Sequence, residues 1–331
     1  SASAAATPQR PMFLESSSVP DRNRIVTFDP GGDDNAQAAC VDVAGDFIAF
    51  GGLYGSNLDL GDGPLGDAES FWAYFAVLDR SLNVLWSQVA DAGPALSFLS
   101  GCHVREDGVS AFAINFTGDT EYGAPTSTGA SAGGEDIVVA SYDVMGGFRW
   151  SVPFLSSGVD VVTTIDSLSD GAFVVSGTSG DPDLTVGGVA RAGEAFDDAM
   201  LAVIEDTGVV RRVRVFGGSS SDFGWSHAIG ADDSIYWVGE YLNTIDFDGR
   251  ELTSAGSVDI FVARLDASLN VTGARSFGGT GTEFAGGITV DDARNVVWLG
   301  GDYVSEFSID GSTIPARGEA IFLHPIDLAT F

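Results

Sequence analysis

A repeated segment is the feature of this chain that most constrains its fold. The stretch SFGGTGTEF at residues 276–284 closely resembles VFGGSSSDF at residues 215–223, 61 residues earlier. Five units can be aligned in this way, each with a landmark residue and, further on, an acid. The landmarks are Phe28, Ala90, Phe154, Phe216 and Phe277, and the acids are Asp79, Asp143, Glu205, Asp266 and Asp327. A period of this length predicts an array of similar supersecondary units.

Each unit has the pattern of four short strands. In the fourth unit the strand sequences are GWSHAIGA, SIYWVGEY, DIFVARLD and NVTGARSF. They are alternating or continuously apolar and are bounded by Gly, Asp, Asn or Ser, as antiparallel strands are. An excursion separates the second strand from the third, and Asp248-Gly249 within it predicts a hairpin turn. Four antiparallel strands in about 60 residues are typical of a β-propeller blade, so we predict an all-β, five-bladed β-propeller.

The two ends of the repeat predict how the propeller closes. The fifth unit lacks a fourth strand, whereas RNRIVTF at residues 22–28 matches the fourth strands of other units. We expect this N-terminal strand to close the last blade and to cover an exposed sheet edge. The predicted organisation is a flexible linker at 1–21, which is small, polar and Pro-containing, followed by a single propeller domain at 22–331.

The quoted repeat resembles a known family. The run FGGSSSDFGWSHAIGADDSIYWVGEY, followed by SVDIFVARLDASLNV, is similar to the bacterial beta-propeller repeat family called SBBP. Residues 22–331 carry the resemblance, which is clearest in the fourth and fifth units. The second and third units lack the Gly-Gly pair. The family is defined by its architecture and has no shared catalytic residues, so the resemblance implies a propeller fold and export but no mechanism.

Charge limits the classes of partner. The chain has 47 acidic and 15 basic residues and a formal net charge of −32. Such a surface repels nucleic acid and anionic lipid, and no apolar run is long enough to span a membrane. We therefore expect a monomer that is secreted, periplasmic or displayed on the cell surface. Its expected ligand is a protein or a carbohydrate.

A ring of acids is the first candidate site. Six residues after the landmarks stand Asp34, Asp160, Asp222 and Glu283, with Leu96 at this position in the remaining unit. At one mouth of a propeller channel these carboxylates could bind Ca²⁺, which takes six to eight oxygen ligands. The alternative is that each carboxylate caps its own loop through backbone N–H groups.

The two cysteines are the second candidate. Cys40 and Cys102 align in adjacent units, which predicts an inter-blade disulfide in an oxidising compartment. Free buried thiols are the alternative, and a metal site formed with His103 and Asp166 is a further one.

Aromatic residues and one histidine form the third candidate. Trp237 and Trp298 align at one repeat position, which indicates core packing between blades. Trp72 and Trp225 have no counterparts in other units, and His227 lies on a predicted innermost strand. We therefore expect these last three residues in a specific ligand site.

The functional prediction combines these observations. We expect a non-catalytic binding or scaffold propeller, because the repeat supplies no unique acid–base pair. The alternatives are a glycoside-active enzyme and a lectin, either of which would use the face at the channel mouth. No catalytic residue is predicted.

Overall fold

The computed structural model describes Phe28 and residues 36–55, 58–61, 63–66, 70–122, 128–191, 196–315 and 318–331. Across these ranges the chain consists of short β-strands, joined by turns and by two 3-10 segments, Asp292–Arg294 and Leu328–Thr330. No helix in the described ranges is long and apolar enough to cross a bilayer. The predicted all-β class is confirmed.

The strands of the described ranges are numbered in chain order. They begin with β1 (Ala36–Ala44), β2 (Phe47–Tyr54), β3 (Trp72–Asp79), β4 (Val84–Asp91), β5 (Ser97–Val104), β6 (Ser110–Phe116), β7 (Asp119–Tyr122), β8 (Thr128–Ala130), β9 (Asp136–Tyr142), β10 (Phe148–Leu155), β11 (Val161–Ser167), β12 (Phe173–Ser179) and β13 (Thr185–Val186). The remaining strands are β14 (Val189–Ala190), β15 (Asp198–Ile204), β16 (Val210–Phe216), β17 (Asp222–Ile229), β18 (Ile235–Asp246), β19 (Glu251–Leu265), β20 (Val271–Gly279), β21 (Glu283–Asp291), β22 (Val296–Tyr303), β23 (Phe307–Ile309), β24 (Ser312–Ile314) and β25 (Ala320–Asp327).

Five sheets follow one another along the chain. Their strand orders are β1-β2-β3-β4-β7-β8, β14-β13-β10-β9-β6-β5, β11-β12-β15-β16, β17-β18-β19-β20-β23-β24 and β21-β22-β25. We number them sheets 1 to 5. In sheets 1 to 4 the four predicted strands are present and antiparallel, and in sheet 5 the described part of the chain supplies three. The fourth strand predicted for sheet 5, at 22–28, lies outside the described residues except for Phe28.

The excursions between second and third strands form strands of their own. Three of them form hairpins that extend the fourth strand of the preceding sheet: β7-β8 joins β4, β13-β14 joins β10, and β23-β24 joins β20. In sheet 4 the excursion instead prolongs β18 and β19. Its turn at Asp248-Gly249 has φ of 57° and 84° and confirms the predicted hairpin. An edge strand offers unpaired N–H and C=O groups, and the added hairpins cover them.

The landmark acids stabilise turns between third and fourth strands. Asp266 Oδ1 accepts hydrogen bonds from Ser268 N–H and Asn270 N–H, both at 2.9 Å, and Asp79 makes the same pair of bonds in its own turn. In this Asx-type turn the carboxylate replaces a backbone acceptor. Glu205 differs, since it binds the Arg211 guanidinium through both oxygens.

The Gly-Gly pairs of the repeat permit close approach. A Cβ at Gly217 would overlap the carboxylate of Asp198, and a Cβ at Gly278 would overlap that of Asp259. The second glycine of each pair lies against a backbone carbonyl, that of Thr244 in the first case. The repeated FGG sequence therefore leaves room for a buried acid on one side and for a hairpin on the other.

The chain divides into two compact units. Unit 1 comprises residues 1–130 and 139–151, and unit 2 comprises residues 131–138 and 152–331. The core of unit 1 includes packed aromatic rings, such as Phe75 with Phe112 at a centroid distance of 4.8 Å. In unit 2, Phe216 packs on Phe247 at 5.0 Å, and Trp237 packs edge-on against Phe261 at 5.0 Å.

Candidate functional site

The three described members of the predicted acidic ring are completely buried. Asp160, Asp222 and Glu283 each have a relative exposure of 0%. Each lies at or just before the first strand of a sheet in unit 2 and interacts electrostatically with an acid on the third strand of the preceding sheet. The pairs are Asp136 with Asp160, Asp198 with Asp222, and Asp259 with Glu283. Asp34, the fourth predicted member, lies outside the described residues.

The alignment in the second unit was one residue off. Leu96 was predicted at the ring position, but Ser97 N–H donates to the Phe71 carbonyl at 3.0 Å. The Asp222 N–H makes the matching bond to the Asp197 carbonyl at 2.7 Å. Ser97 is therefore the structural equivalent of Asp222. Its hydroxyl takes the place of a carboxylate, accepting from Ala73 N–H and donating to the Ala90 carbonyl.

Burial raises the pKa of each of these ring acids. It raises the pKa of Asp160 to about 6, that of Glu283 to about 7 and that of Asp222 to about 8. The negative charge of the neighbouring acid adds to the effect in each case, whereas hydrogen bonds from backbone N–H groups oppose it. These carboxyls therefore release their protons between about pH 6 and pH 8, where exposed acids are already ionised.

The ring acids do not converge on one site. Throughout the described ranges, no three His, Cys, Asp or Glu side chains are grouped so that they could hold a metal ion. Each ring acid instead belongs to a separate pair. The expectation that four carboxylates share one channel mouth is therefore not met by the three described members.

Trp225 is the most distinctive residue at a first strand. It is the bulged residue of β17, where the register with β18 shifts between Gly224 and Ser226. The side chain is 36% exposed, and its ring stacks on Phe223 with centroids 6.2 Å apart. Phe284, on β21, is 42% exposed. We call Phe223 and Trp225 the Trp225 surface.

The Trp225 side chain is held in place from beneath. The carboxylate of Glu240, which is 6% exposed, accepts a hydrogen bond from the Trp225 side chain. It also accepts one from Ala285 N–H at 2.8 Å. Burial raises the pKa of Glu240. The two hydrogen bonds oppose this effect, but the pKa stays above its usual value. The Trp225 carbonyl in turn accepts the hydroxyl of Thr163. The indole is therefore preorganised, with its rotamer and its backbone both fixed.

His227 was predicted in the ligand site and lies two residues from Trp225. Its Nδ1 is 2.8 Å from Ser176 Oγ, and Ser176 Oγ donates to the Trp225 carbonyl at 3.4 Å. Ser176 is 0% exposed and His227 is 4% exposed. Although serine and histidine are in hydrogen-bond contact, a substrate could not reach this hydroxyl. The pair therefore supports the Trp225 backbone from the interior.

Trp72 has a different environment from the one predicted. Its ring is 6% exposed, and its indole N–H donates to the Gly93 carbonyl at 2.9 Å. The side chain thus packs in the core of unit 1 and offers no face to a ligand. Gly93 borders an open cleft of about 810 Å³, whose other lining residues include Asp91, Asp119 and Glu121.

Cys40 and Cys102 form a disulfide in unit 1, with Cα atoms 5.9 Å apart. Next to it, His103 Nδ1 lies 2.9 Å from Asp42 Oδ2. Burial acts to raise the pKa of Asp42, but hydrogen bonds from His103 and Val104 outweigh it and hold the pKa below its usual range. The disulfide and the ion pair together join β1 to β5. Neither the free thiols nor the metal site considered from the sequence corresponds to this arrangement.

The described residues thus define an all-β protein of successive antiparallel sheets with an exposed, preorganised aromatic surface. No protein-family model and no curated protein matches the sequence. A solved structure described as "Structure of Dos1 propeller" is similar, with a TM-score of 0.42 and 11% sequence identity over 84% of this chain and 71% of that chain. A likeness at this level carries no inference about function. The resemblance to the SBBP repeat family stays a prediction.

Proposed function

We propose that this chain is a non-catalytic binding or scaffold protein, secreted or displayed at the cell surface, whose ligand contacts the Trp225 surface. The observation that carries the proposal is the combination of exposure and fixed geometry at Trp225. An exposed indole that is already held in one rotamer loses little conformational entropy on binding. The hydrogen bond to Glu240 and the β-bulge both hold the indole in one position.

The proposed ligand is a carbohydrate or a protein segment. A flat aromatic face contacts the apolar face of a sugar ring or a side chain of a partner protein, and Trp is among the residues that dominate binding energy at interfaces. The formal net charge of −32 disfavours anionic ligands in both classes. Neutral sugars and basic peptides are therefore the probes to use first.

The proposed architecture is a closed five-bladed β-propeller in which residues 22–28 complete sheet 5. Two observations support closure. On the outermost described strand of sheet 5, β25, Ile321 is 88% exposed and Leu323 is 70% exposed, and apolar side chains of this kind suit a further strand beside them. Phe28 packs on Phe50 of β2 at 6.0 Å, much as Phe216 at the end of β16 packs on Trp237 of β18 at 5.8 Å.

The proposed location is outside the reducing cytosol. The Cys40–Cys102 disulfide supports it, because structural disulfides form and persist in oxidising compartments. Export also agrees with the predicted membership of the SBBP repeat family.

Ligand screening with matched variants tests the proposal. Trp225→Ala should lower affinity for the ligand found on a glycan array or a basic-peptide array by roughly tenfold to a hundredfold, as for other aromatic anchors. The control is Phe71→Ala, since Phe71 is 41% exposed but lies in unit 1. An equal loss of affinity in both variants, or no loss of affinity in Trp225→Ala, would contradict the assignment of the ligand site to the Trp225 surface.

The alternative of a glycoside-active enzyme draws on one observation. Asp222 and Glu283 have the raised pKa that a general acid requires. Both are completely buried, however, so catalysis would need the sheets to separate. Release of sugar product from a chromogenic glycoside library, abolished by Asp222→Asn, would establish that alternative. A lectin with one site per repeat would instead bind several equivalents of sugar, whereas a ligand at Trp225 binds one.

A further inference from the structure

The Asp259–Glu283 pair is a junction of two buried acids that each keep one oxygen without a donor. Asp259 is 1% exposed and Glu283 is 0% exposed. Asp259 uses Oδ2 to accept Ala255 N–H at 2.9 Å, and Gly256 N–H and the Ser276 hydroxyl are further donors to its carboxylate. Glu283 uses Oε2 to accept Gly279 N–H at 3.0 Å. Asp259 Oδ1 and Glu283 Oε1 are both buried and have no hydrogen-bond partner among the described residues. A buried carboxylate oxygen without a donor is costly, and here there are two.

These two acids are close enough to affect each other. The negative charge of Asp259 contributes to the raised pKa of Glu283 after burial, which is the main cause. In unit 2, Asp259 lies on β19 and Glu283 begins β21. A bridge between Val258 and Thr282 and a hydrogen bond from Ser257 N–H to the Gly281 carbonyl, at 2.9 Å, join the two segments.

Further oxygen atoms lie in the same junction. Three residues before Asp259, Gly256 packs so closely against the chain at 279–281 that a Cβ on it would overlap the Gly279 carbonyl oxygen. The same Cβ would lie 2.8 Å from the Gly281 carbonyl oxygen. Carboxylate and carbonyl oxygens are the donors that hard cations prefer. No Lys or Arg hydrogen-bonds or forms an ion pair with either acid within the described ranges.

The Asp136–Asp160 pair shows what a self-sufficient junction looks like. Asp136 accepts Ala132 N–H through Oδ2 at 2.7 Å and Ser156 N–H through Oδ1 at 3.0 Å. Asp160 Oδ1 accepts both the Ser156 hydroxyl and Gly180 N–H. Protein donors therefore meet most of the needs of this pair, whereas in the Asp259–Glu283 junction both acids have a buried oxygen without a hydrogen-bond partner.

We propose that the Asp259–Glu283 junction binds one divalent hard cation of the Ca²⁺ type, held by the two carboxylates and by neighbouring backbone carbonyls. Two negative charges match one divalent ion. Ca²⁺ accepts irregular coordination, whereas Mg²⁺ requires near-octahedral geometry and retains its waters, so Ca²⁺ suits a dry junction better. The site is independent of the Trp225 surface and joins sheet 4 to sheet 5.

Calcium titration of the full chain tests this site. Equilibrium dialysis with Ca²⁺ alone should show that Glu283→Gln binds one equivalent less than the wild type. Glu306→Gln, a change at an exposed acid between β22 and β23, should bind as the wild type does. Glutamine keeps an oxygen for the Gly279 N–H, which favours correct folding, and Asp259→Asn provides a second variant that should lose the same equivalent.

Thermal unfolding supplies a readout that does not depend on counting ions. The unfolding midpoint of the wild type should rise with the logarithm of Ca²⁺ concentration, and that rise should be smaller in Glu283→Gln. Mg²⁺ should produce a smaller rise than Ca²⁺. Equal Ca²⁺ binding by wild type and both variants, or no binding by the wild type, would overturn the site and leave the pair as two acids that share a proton. Neither result depends on a ligand at Trp225.

Discussion

Replacing Asp222 with asparagine should change how the stability of this protein depends on pH. Asp222 is completely buried, and burial together with the charge of Asp198 raises its pKa from 3.8 to about 8. In the unfolded chain the carboxyl titrates near its ordinary value of about 4. Between these two pH values the unfolded chain has released the proton while the folded protein still holds it.

The sign of the effect follows from this difference in proton binding. Stability falls with rising pH wherever the folded state binds more protons than the unfolded state. The contribution of Asp222 is therefore complete below about pH 4 and is lost progressively as the pH rises to about 8. Because each pKa unit corresponds to about 1.4 kcal/mol, the whole loss is about 6 kcal/mol at most.

Asp222→Asn removes this titration and preserves the shape of the side chain. The amide oxygen can still accept the Leu242 N–H, which lies 3.4 Å from Asp222 Oδ1, and the amide N–H₂ can donate to Asp198. Near pH 5 the variant should differ from the wild type by no more than about 1 kcal/mol. Near pH 8 and above, the variant should be the more stable protein by several kcal/mol.

Urea denaturation at a series of pH values measures the difference directly. Glu251→Gln is the control, since Glu251 is an exposed acid on β19 of the same sheet. Its curve of stability against pH should run parallel to that of the wild type. If the Asp222→Asn curve also runs parallel to the wild type from about pH 5 to about pH 9, Asp222 does not retain its proton in the folded protein, and its burial does not raise its pKa.

Three more predictions follow from the fold. Cys40→Ser with Cys102→Ser should lower the free energy of unfolding by about 4 kcal/mol, as expected for a 62-residue separation; chemical denaturation should show this loss, and reductant should then have no further effect. Gly217→Ala should destabilise by about 1–3 kcal/mol because its Cβ would overlap the Asp198 carboxylate. Chemical denaturation should show almost no change in the free energy of unfolding for Gly287→Ala, because a Cβ there meets nothing within 4 Å. Deleting residues 1–28 should lower the unfolding midpoint far more than deleting residues 1–20, and equal midpoints would contradict closure by residues 22–28.

The sequence predicted the order and type of the strands well because these depend on local pattern. The fourth unit shows this clearly: the four strand sequences fall in β17 to β20, and Asp248-Gly249 forms the expected hairpin. Apolar alternation and turn residues act over a few positions and are visible in one sequence. Both signals recur in each unit, which makes them easier to recognise.

Side-chain orientation was harder to predict, because one residue of register reverses it. Trp237 and Trp298 align in sequence, but the turn before β22 is one residue shorter than the turn before β18. Trp237 therefore pairs with His227 and is completely buried, whereas Trp298 pairs with Thr289 and is half-buried. Successive residues of a strand point to opposite faces, so the alignment placed Trp298 on the wrong face.

The acid pairs could not be read from the repeat because their members come from neighbouring units. The sequence singled out Asp222 and Glu283 as one ring, whereas their partners Asp198 and Asp259 lie on third strands of the preceding units. Only the packing of one sheet on the next brings them together. Glu240 and Trp225 differ, since they lie on the adjacent strands β18 and β17 of one sheet, and their hydrogen bond forms across a bulge that the repeat does not show.

The hairpins that extend a preceding sheet mean that the repeating unit of the sequence is not the unit that folds. Sheet 4 is completed by β23 and β24, which follow β21 and β22 of sheet 5 in the chain. During synthesis, the outer edge of a sheet therefore stays open until most of the next repeat has left the ribosome. A truncation at a repeat boundary should leave its last sheet without the strands that cover it. Insertion or loss of a repeat during evolution is then tolerated only where the new neighbour supplies a hairpin that fits the older edge.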